Sequence, residues 1–134
     1  MGEAVRLVHT PFNDRVEDAV ILTDAIMQDQ VIVINVFSVP VENRDNFLPR
    51  WKPGVGVMAA QPGFIQAQMF RSLDPSAEFG FVTVARWASG AALAEARKNP
   101  EWRASVQRLM DNVGAAPKPM IYETALVVNP GEKP

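Results

Sequence analysis

The stretch Val31–Ser38, VIVINVFS, is apolar on both parities except at Asn35 and the terminal Ser38. A strand with one wet face alternates apolar and polar residues. This one does not, so both of its faces need cover. In a chain of 134 residues, which is enough for one core and not two, helices supply cover on one side and something else must supply it on the other. Asn35 places a single amide in that dry run, and such a group must find a partner or serve a ligand.

Composition removes several classes of function. The 13 basic and 15 acidic residues leave a net charge of −2 with no basic stripe, so nucleic acid is not an expected partner. The absence of cysteine excludes disulfides, thiolate nucleophiles and Cys-ligated metals. His9 is the only histidine, which leaves no multi-His metal site within one chain. No apolar run approaches the ~20 residues of a membrane span. The N-terminus, MGEAVRLVHTPFND, lacks the basic and apolar regions of a signal peptide. A cytoplasmic location with no membrane partner is the expectation.

Taken in order, residues 1–12 read as an extended arm. Asn13 and Asp14 offer a cap to a short amphipathic helix whose apolar positions run from Val16 to Met27. Residues 1–30 thus form an N-terminal extension in need of a docking surface, on its own subunit or on a partner. After β-strand Val31–Ser38, Val41, Phe47, Leu48, Trp51, Val55 and Met58 outline a helical face. Pro49, Pro53, Gly54 and Gly56 fall within it, which predicts a helix kinked or broken near Trp51–Gly56. GVGVMA imitates a dinucleotide fingerprint, but FLPRWKP stands where its strand should be.

Gln61-Pro62-Gly63 reads as a type II turn. Strands are expected at Phe64–Leu73 and Phe79–Trp87, joined by a hairpin loop at Asp74–Glu78 and therefore antiparallel. Ser89 caps a further helix, interrupted at Asn99-Pro100 and stopped at Gly114. Its buried side is expected to hold Ala92, Leu93, Ala96, Trp102, Val106, Leu109 and Met110. Pro117 and Pro119 read as a stiff connector, Met120–Val128 as the last strand, and residues 129–134 as a frayed tail.

The order is an extension followed by β-α-β-β-α-β: an α+β, ferredoxin-like domain over residues 31–128, with an antiparallel sheet and the helices on one face. The other face is then bare although its strands are apolar on both parities. Pairing of two sheets about a two-fold axis closes it, so a homodimer is expected.

The succession INVFSVP, FLPRW, QPGF, RSLDP and FGFVTVARW, followed by a helix with a proline break, resembles the antibiotic biosynthesis monooxygenase family of dimeric α/β-barrel proteins. The resemblance covers Val31 to Val128. It implies a small cavity in each subunit between sheet and helices. In some members that cavity oxidises polycyclic phenols or quinols with dioxygen and neither metal nor flavin; others bind and degrade haem. The haem-degrading members use a first-strand asparagine, a tryptophan and a histidine ligand. Asn35 matches the asparagine, but Ala96 and Val106 stand where the tryptophan and histidine would be, so haem is not carried over and no cofactor is expected.

Candidate residues carry two readings each. Asn35 is either a cavity amide that binds substrate and stabilises charge, as its match in the family implies, or a core amide satisfied by backbone. Trp51, Trp87 and Trp102 either wall a pocket for a flat aromatic ligand or pack the core. Pro49, Pro53, Gly54 and Gly56 suggest that the helix carrying Trp51 gates the pocket. Phe37, Phe47, Met58, Phe70 and Phe81 are core first and lining second. Arg71 and Arg86 either hold an anionic substrate group or lie on the surface. Tyr122 is a proton donor or a structural hydroxyl, and His9 a general base only if the arm folds over a cavity. The expected function is a cofactor-independent monooxygenase acting on an aromatic, polyketide or quinol-type small molecule. The alternatives are a non-catalytic small-molecule-binding dimer and a cyclase on the same scaffold.

Overall fold

A computed structural model describes residues 29–134. The helix expected within residues 13–27, the arm before it and His9 lie outside the described residues. The elements are β1 (Val31–Ser38), a 3-10 turn (Val41–Asn43), α1 (Arg44–Ala59), β2 (Phe64–Arg71), β3 (Phe81–Trp87), α2 (Gly90–Ala96), α3 (Pro100–Val113) and β4 (Ala116–Tyr122). The strands form one antiparallel sheet in the order β2-β3-β1-β4. This is the ferredoxin-like arrangement expected from the element order.

β1 lies inside the sheet, between β3 and β4, which is why its sequence is apolar on both sides. Register sorts its residues by face. Val33, Asn35 and Phe37 stand level with Ala85, Thr83 and Phe81 on β3 and point toward the helices. Ile32, Ile34 and Val36 stand level with Arg86, Val84 and Val82 and point away. On β2 a register shift between Phe64 and Gln66 breaks the simple alternation. Phe64, Ala67 and Met69 therefore face the helices, while Gln66, Gln68 and Phe70 face away.

The Gln61-Pro62-Gly63 turn forms as its residues predict. Gly63 has φ of 86°, the Phe64 N–H donates to the Gln61 carbonyl at 3.3 Å, and a Cβ at Gly63 would stand 2.5 Å from the Ala92 Cβ. Ser89 caps α2 by accepting from the Ala92 N–H at 3.1 Å. Asn99 caps α3 by accepting from the amides of Glu101 and Trp102, and Gly114 ends that helix.

Three expectations need correction. Of the kink or break expected near Trp51–Gly56, the break does not occur: Arg44–Ala59 is one uninterrupted helix with both Pro49 and Pro53 inside. Each proline forfeits one backbone bond, but docking against α3 holds the helix together. Gly54 makes that docking close: a Cβ there would lie 2.5 Å from the Ser105 Oγ and 3.4 Å from Trp102. Its role is contact, not interruption.

The last strand is Ala116–Tyr122 rather than Met120–Val128, so Pro117 and Pro119 belong to the strand and not to a connector. Because β4 is an edge strand and the two prolines share one parity, both can turn their donorless nitrogens to the unpaired side. Met110, expected on the buried side of α3, is 43% exposed; Ser105 and Val113 take the buried positions instead.

Two clusters of buried residues fill the space between sheet and helices. At one end Phe47 stacks on Phe81 with ring centroids 4.5 Å apart and meets Phe37 at 5.0 Å. Val39, Leu109, Val113 and Ala115 complete that cluster. At the other end Trp87 packs with Val33, Met58, Leu93 and Ala96, and Phe64 meets the Trp87 ring edge-on at 5.3 Å. Arg44 ties the β2–β3 loop to the start of α1, donating to the carbonyls of Pro75 at 2.6 Å and Ala77 at 2.9 Å. Asn43 ties the same corner to the end of α3, its Nδ2 donating to the Val113 carbonyl at 2.9 Å.

Candidate functional site

Between those two clusters the packing leaves a cavity of about 410 Å³, enough for a ligand of two or three fused rings. Its floor is the helix-facing side of the sheet. Val33, Asn35 and Phe37 of β1 contribute, with Thr83, Ala85 and Trp87 of β3 beside them. Phe64 and Ala67 extend the floor onto β2, and Pro117 and Pro119 onto β4. The roof is made by α1, through Trp51, Gly54, Val55 and Met58, and by α3, through Trp102, Val106 and Leu109. These positions follow the helical repeat, so one face of each helix supplies them.

Asn35 is the chemically distinctive group. Its Oδ1 is buried and has no hydrogen-bond partner. An orphaned buried amide oxygen costs about 1–3 kcal/mol, which folding gains nothing from unless a ligand donates to it. Neighbouring Thr83 has no such vacancy, because its hydroxyl donates to the Met69 sulfur at 3.9 Å. Among the described residues the lining holds no aspartate, glutamate or histidine. Its charged members are Arg50, Arg97 and Arg103. Among the described residues no group of three or more His, Asp or Glu side chains is placed to hold a metal ion, and no helix is long and apolar enough to cross a membrane.

Of the residues singled out from the sequence, the structure brings Asn35, Phe37, Trp51, Met58, Trp87 and Trp102 together around the cavity. Phe47 and Phe81 lie in the adjoining cluster instead, Phe47 fully enclosed and Phe81 nearly so. Phe70, Arg86 and Tyr122 lie on the opposite face of the sheet, for a reason of parity. Arg86 is one residue beyond Ala85, Phe70 follows the shifted register of β2, and Tyr122 pairs with outward-facing Ile32. Phe70 and Tyr122 are each 47% exposed. Arg71 stands over the Phe81 ring at 5.8 Å, away from the cavity lining. The three cavity arginines were not legible as a group, since they come from three helical segments or helix ends and become neighbours of one space only on folding.

A model of the antibiotic biosynthesis monooxygenase family matches residues 30–108. Among solved structures, the chain is similar to SnoaB, a cofactor-independent oxygenase from Streptomyces nogalater, in an Asn-to-Ala mutant form. That match has 20% identity and a TM-score of 0.65, over 75% of this chain and 97% of that one. It is also similar to a putative monooxygenase from Shewanella loihica, at 28% identity and a TM-score of 0.60, over 75% and 99% of the two chains. A third similar structure is a putative antibiotic biosynthesis monooxygenase from Deinococcus radiodurans, at 15% identity and a TM-score of 0.62, over 74% and 96%. A search of the curated proteins found no match.

Proposed function

The chain belongs to the antibiotic biosynthesis monooxygenase family, and from that premise we propose that it is a cofactor-independent monooxygenase of a hydroxylated aromatic, polyketide or quinol-type compound. The observation that carries this reading is Asn35 in the largely apolar floor of the cavity, with a buried Oδ1 that has no partner. An aromatic hydroxyl donating to that oxygen would satisfy it. The ring would then lie between Trp51, Trp102 and the sheet, excluded from bulk water.

The chemistry asks little of acid and base groups. An electron-rich phenol with two hydroxyls enters with one donating to Asn35 and loses the proton of the other to water at the cavity mouth, and that proton returns when the peroxide forms. The phenolate passes an electron to dioxygen, and the two radicals combine to form a carbon–oxygen bond. The resulting hydroperoxide loses water to leave a quinone, so one oxygen atom remains on carbon and the other departs as water. The protein contributes a dry pocket and orientation, with the Asn35 Oδ1 holding the un-ionised hydroxyl.

Quaternary structure belongs to the same reading. The sheet face opposite the cavity carries Ile32, Ile34, Val36, Val82 and Val84 with Phe70 and Met120, and a second copy of the chain is the proposed cover. The absence of a carboxylate or imidazole from the lining also favours a second reading, a binding protein without chemistry. Oxygen uptake with a dihydroxynaphthalene as probe separates the two. The enzyme reading expects uptake above the protein-free rate, lost on Asn35→Leu. Binding of the probe without uptake supports the second.

A further inference from the structure

Arg97 ends α2 and Arg103 lies in the first turns of α3, and both line the same cavity as Asn35. The Arg103 Nε donates to the Arg97 carbonyl at 3.1 Å. That bond fixes the stem of one arginine against the backbone of the other and leaves the terminal nitrogens of Arg103 to point elsewhere. Gln107, one helical turn beyond Arg103, lines the cavity too. Among the described residues no aspartate or glutamate does. Among the described residues the one ion pair is Lys98–Glu95 at 3.2 Å, so no carboxylate of the described chain neutralises either guanidinium. Arg97 is half-buried and Arg103 exposed, which puts them at the rim, while the apolar walls and Asn35 lie deeper.

Guanidinium groups remain protonated at every physiological pH and present a planar fork that matches a carboxylate. Two of them at the rim of a largely apolar cavity, with no carboxylate among its described lining residues, form half of an ion pair. We propose that the ligand of this cavity is an aromatic acid. Its ring system occupies the apolar interior, and its carboxylate projects outward to Arg97 and Arg103, with Gln107 as a neutral donor beside them. This rests on the reading of the cavity as the ligand site, and it adds the polarity of the ligand: apolar end in, anionic end out. It also assigns a specificity role to two arginines other than Arg71 and Arg86, which lie outside the lining.

The test compares two probes that differ only in charge, naphthoate and naphthamide. Their binding to the full chain is followed by quenching of tryptophan fluorescence from Trp51 and Trp102. The wild-type protein is expected to bind naphthoate at least about fivefold more tightly than naphthamide, with the preference shrinking as salt rises. Arg97→Met and Arg103→Met are each expected to reduce the preference, and the double variant to abolish it. Naphthamide affinity should fall less than naphthoate affinity in all three, and circular dichroism with a wild-type urea midpoint shows that the variants fold. Equal binding of the two probes by the wild type would overturn the proposal. So would a preference that survives in the double variant. The outcome is independent of turnover: a naphthoate preference without oxygen uptake leaves this assignment standing and removes the oxygenase reading, while uptake without the preference does the reverse.

Discussion

Asn35 on β1 stands directly opposite Thr83 on β3 in the antiparallel register, and their polar groups have unlike fates. Thr83 donates to the sulfur of Met69 on the next strand at 3.9 Å, while the Asn35 Oδ1 has no partner. Met69, Thr83, Asn35 and Pro119 lie level across all four strands. Two polar side chains thus sit side by side in an otherwise apolar row beneath the cavity, one partnered and one not.

Replacing Asn35 by leucine, a side chain of similar size, removes a buried acceptor that the empty protein cannot satisfy. The apo protein is expected to become more stable, by about 1 kcal/mol, while oxygenation falls by about tenfold or more. Chemical denaturation and oxygen uptake on the same samples check the pair of effects. A variant that loses stability as well as activity would show that Asn35 is held by partners in the folded chain.

Gly54 lets α1 pack closely against Ser105 of α3. In a helix, glycine to alanine ordinarily gains about 0.5–1 kcal/mol. Here the new Cβ would lie 2.5 Å from the Ser105 Oγ, so Gly54→Ala is expected to lose about 1 kcal/mol instead. With Ser105→Ala already present the same change should become favourable. A double-mutant cycle in urea measures the reversal of sign; additive effects would mean that the helices do not pack at these two positions.

These two positions also show what the sequence conveyed and what it withheld. The buried strand, the Pro62-Gly63 turn and the Ser89 cap were legible because each depends on a few adjacent residues. The pattern at Gly54 was not, because a glycine read locally as a helix breaker acquires its meaning from Ser105, far along the chain. Pro117 and Pro119 misled for a similar reason: a proline forbidden in a central strand is allowed on an edge, and edge position is a property of the sheet. The site divided along the same line. Asn35, Trp51 and Trp102 stood out as polar or aromatic exceptions in their own segments. Phe70, Arg86 and Tyr122 depended on parity and on the β2 register shift, and Arg97 and Arg103 on how the helices are placed.

Arg44 joins the β2–β3 loop to α1 through the carbonyls of Pro75 and Ala77, with a longer contact to the Val39 carbonyl at 3.4 Å. Arg44→Met keeps the apolar stem and removes the donors. We expect a loss of about 1–3 kcal/mol and faster amide exchange at Ala77, whose N–H bonds the Asp74 carbonyl within the same loop. Unchanged exchange there would place the loop's order in its own turn and not in Arg44.

Asp74 organises that loop by accepting from the Ser76 hydroxyl and amide at 2.8 and 2.9 Å. These bonds, with a smaller contribution from the charge of Arg44, hold its carboxyl below the usual aspartate range. A depressed folded value means that the stabilisation is fully present above the unfolded value of about 3.9 and fades as pH falls through the folded one. An NMR titration of the Ser76 amide is expected to show a midpoint below that of a free aspartate. In Ser76→Ala the midpoint should rise toward it. A midpoint at the ordinary value in the unmodified protein would contradict the bonding described.

The most direct test of the whole account is the fate of isotopically heavy dioxygen during turnover of a dihydroxynaphthalene, followed by mass spectrometry of the organic product and of the water formed. An oxygenase working in the Asn35 cavity predicts one heavy oxygen atom in the hydroxynaphthoquinone and the other in water, with formation of the labelled product strongly reduced in Asn35→Leu. A quinone free of heavy oxygen, or a labelled product formed equally fast by that variant, would contradict it.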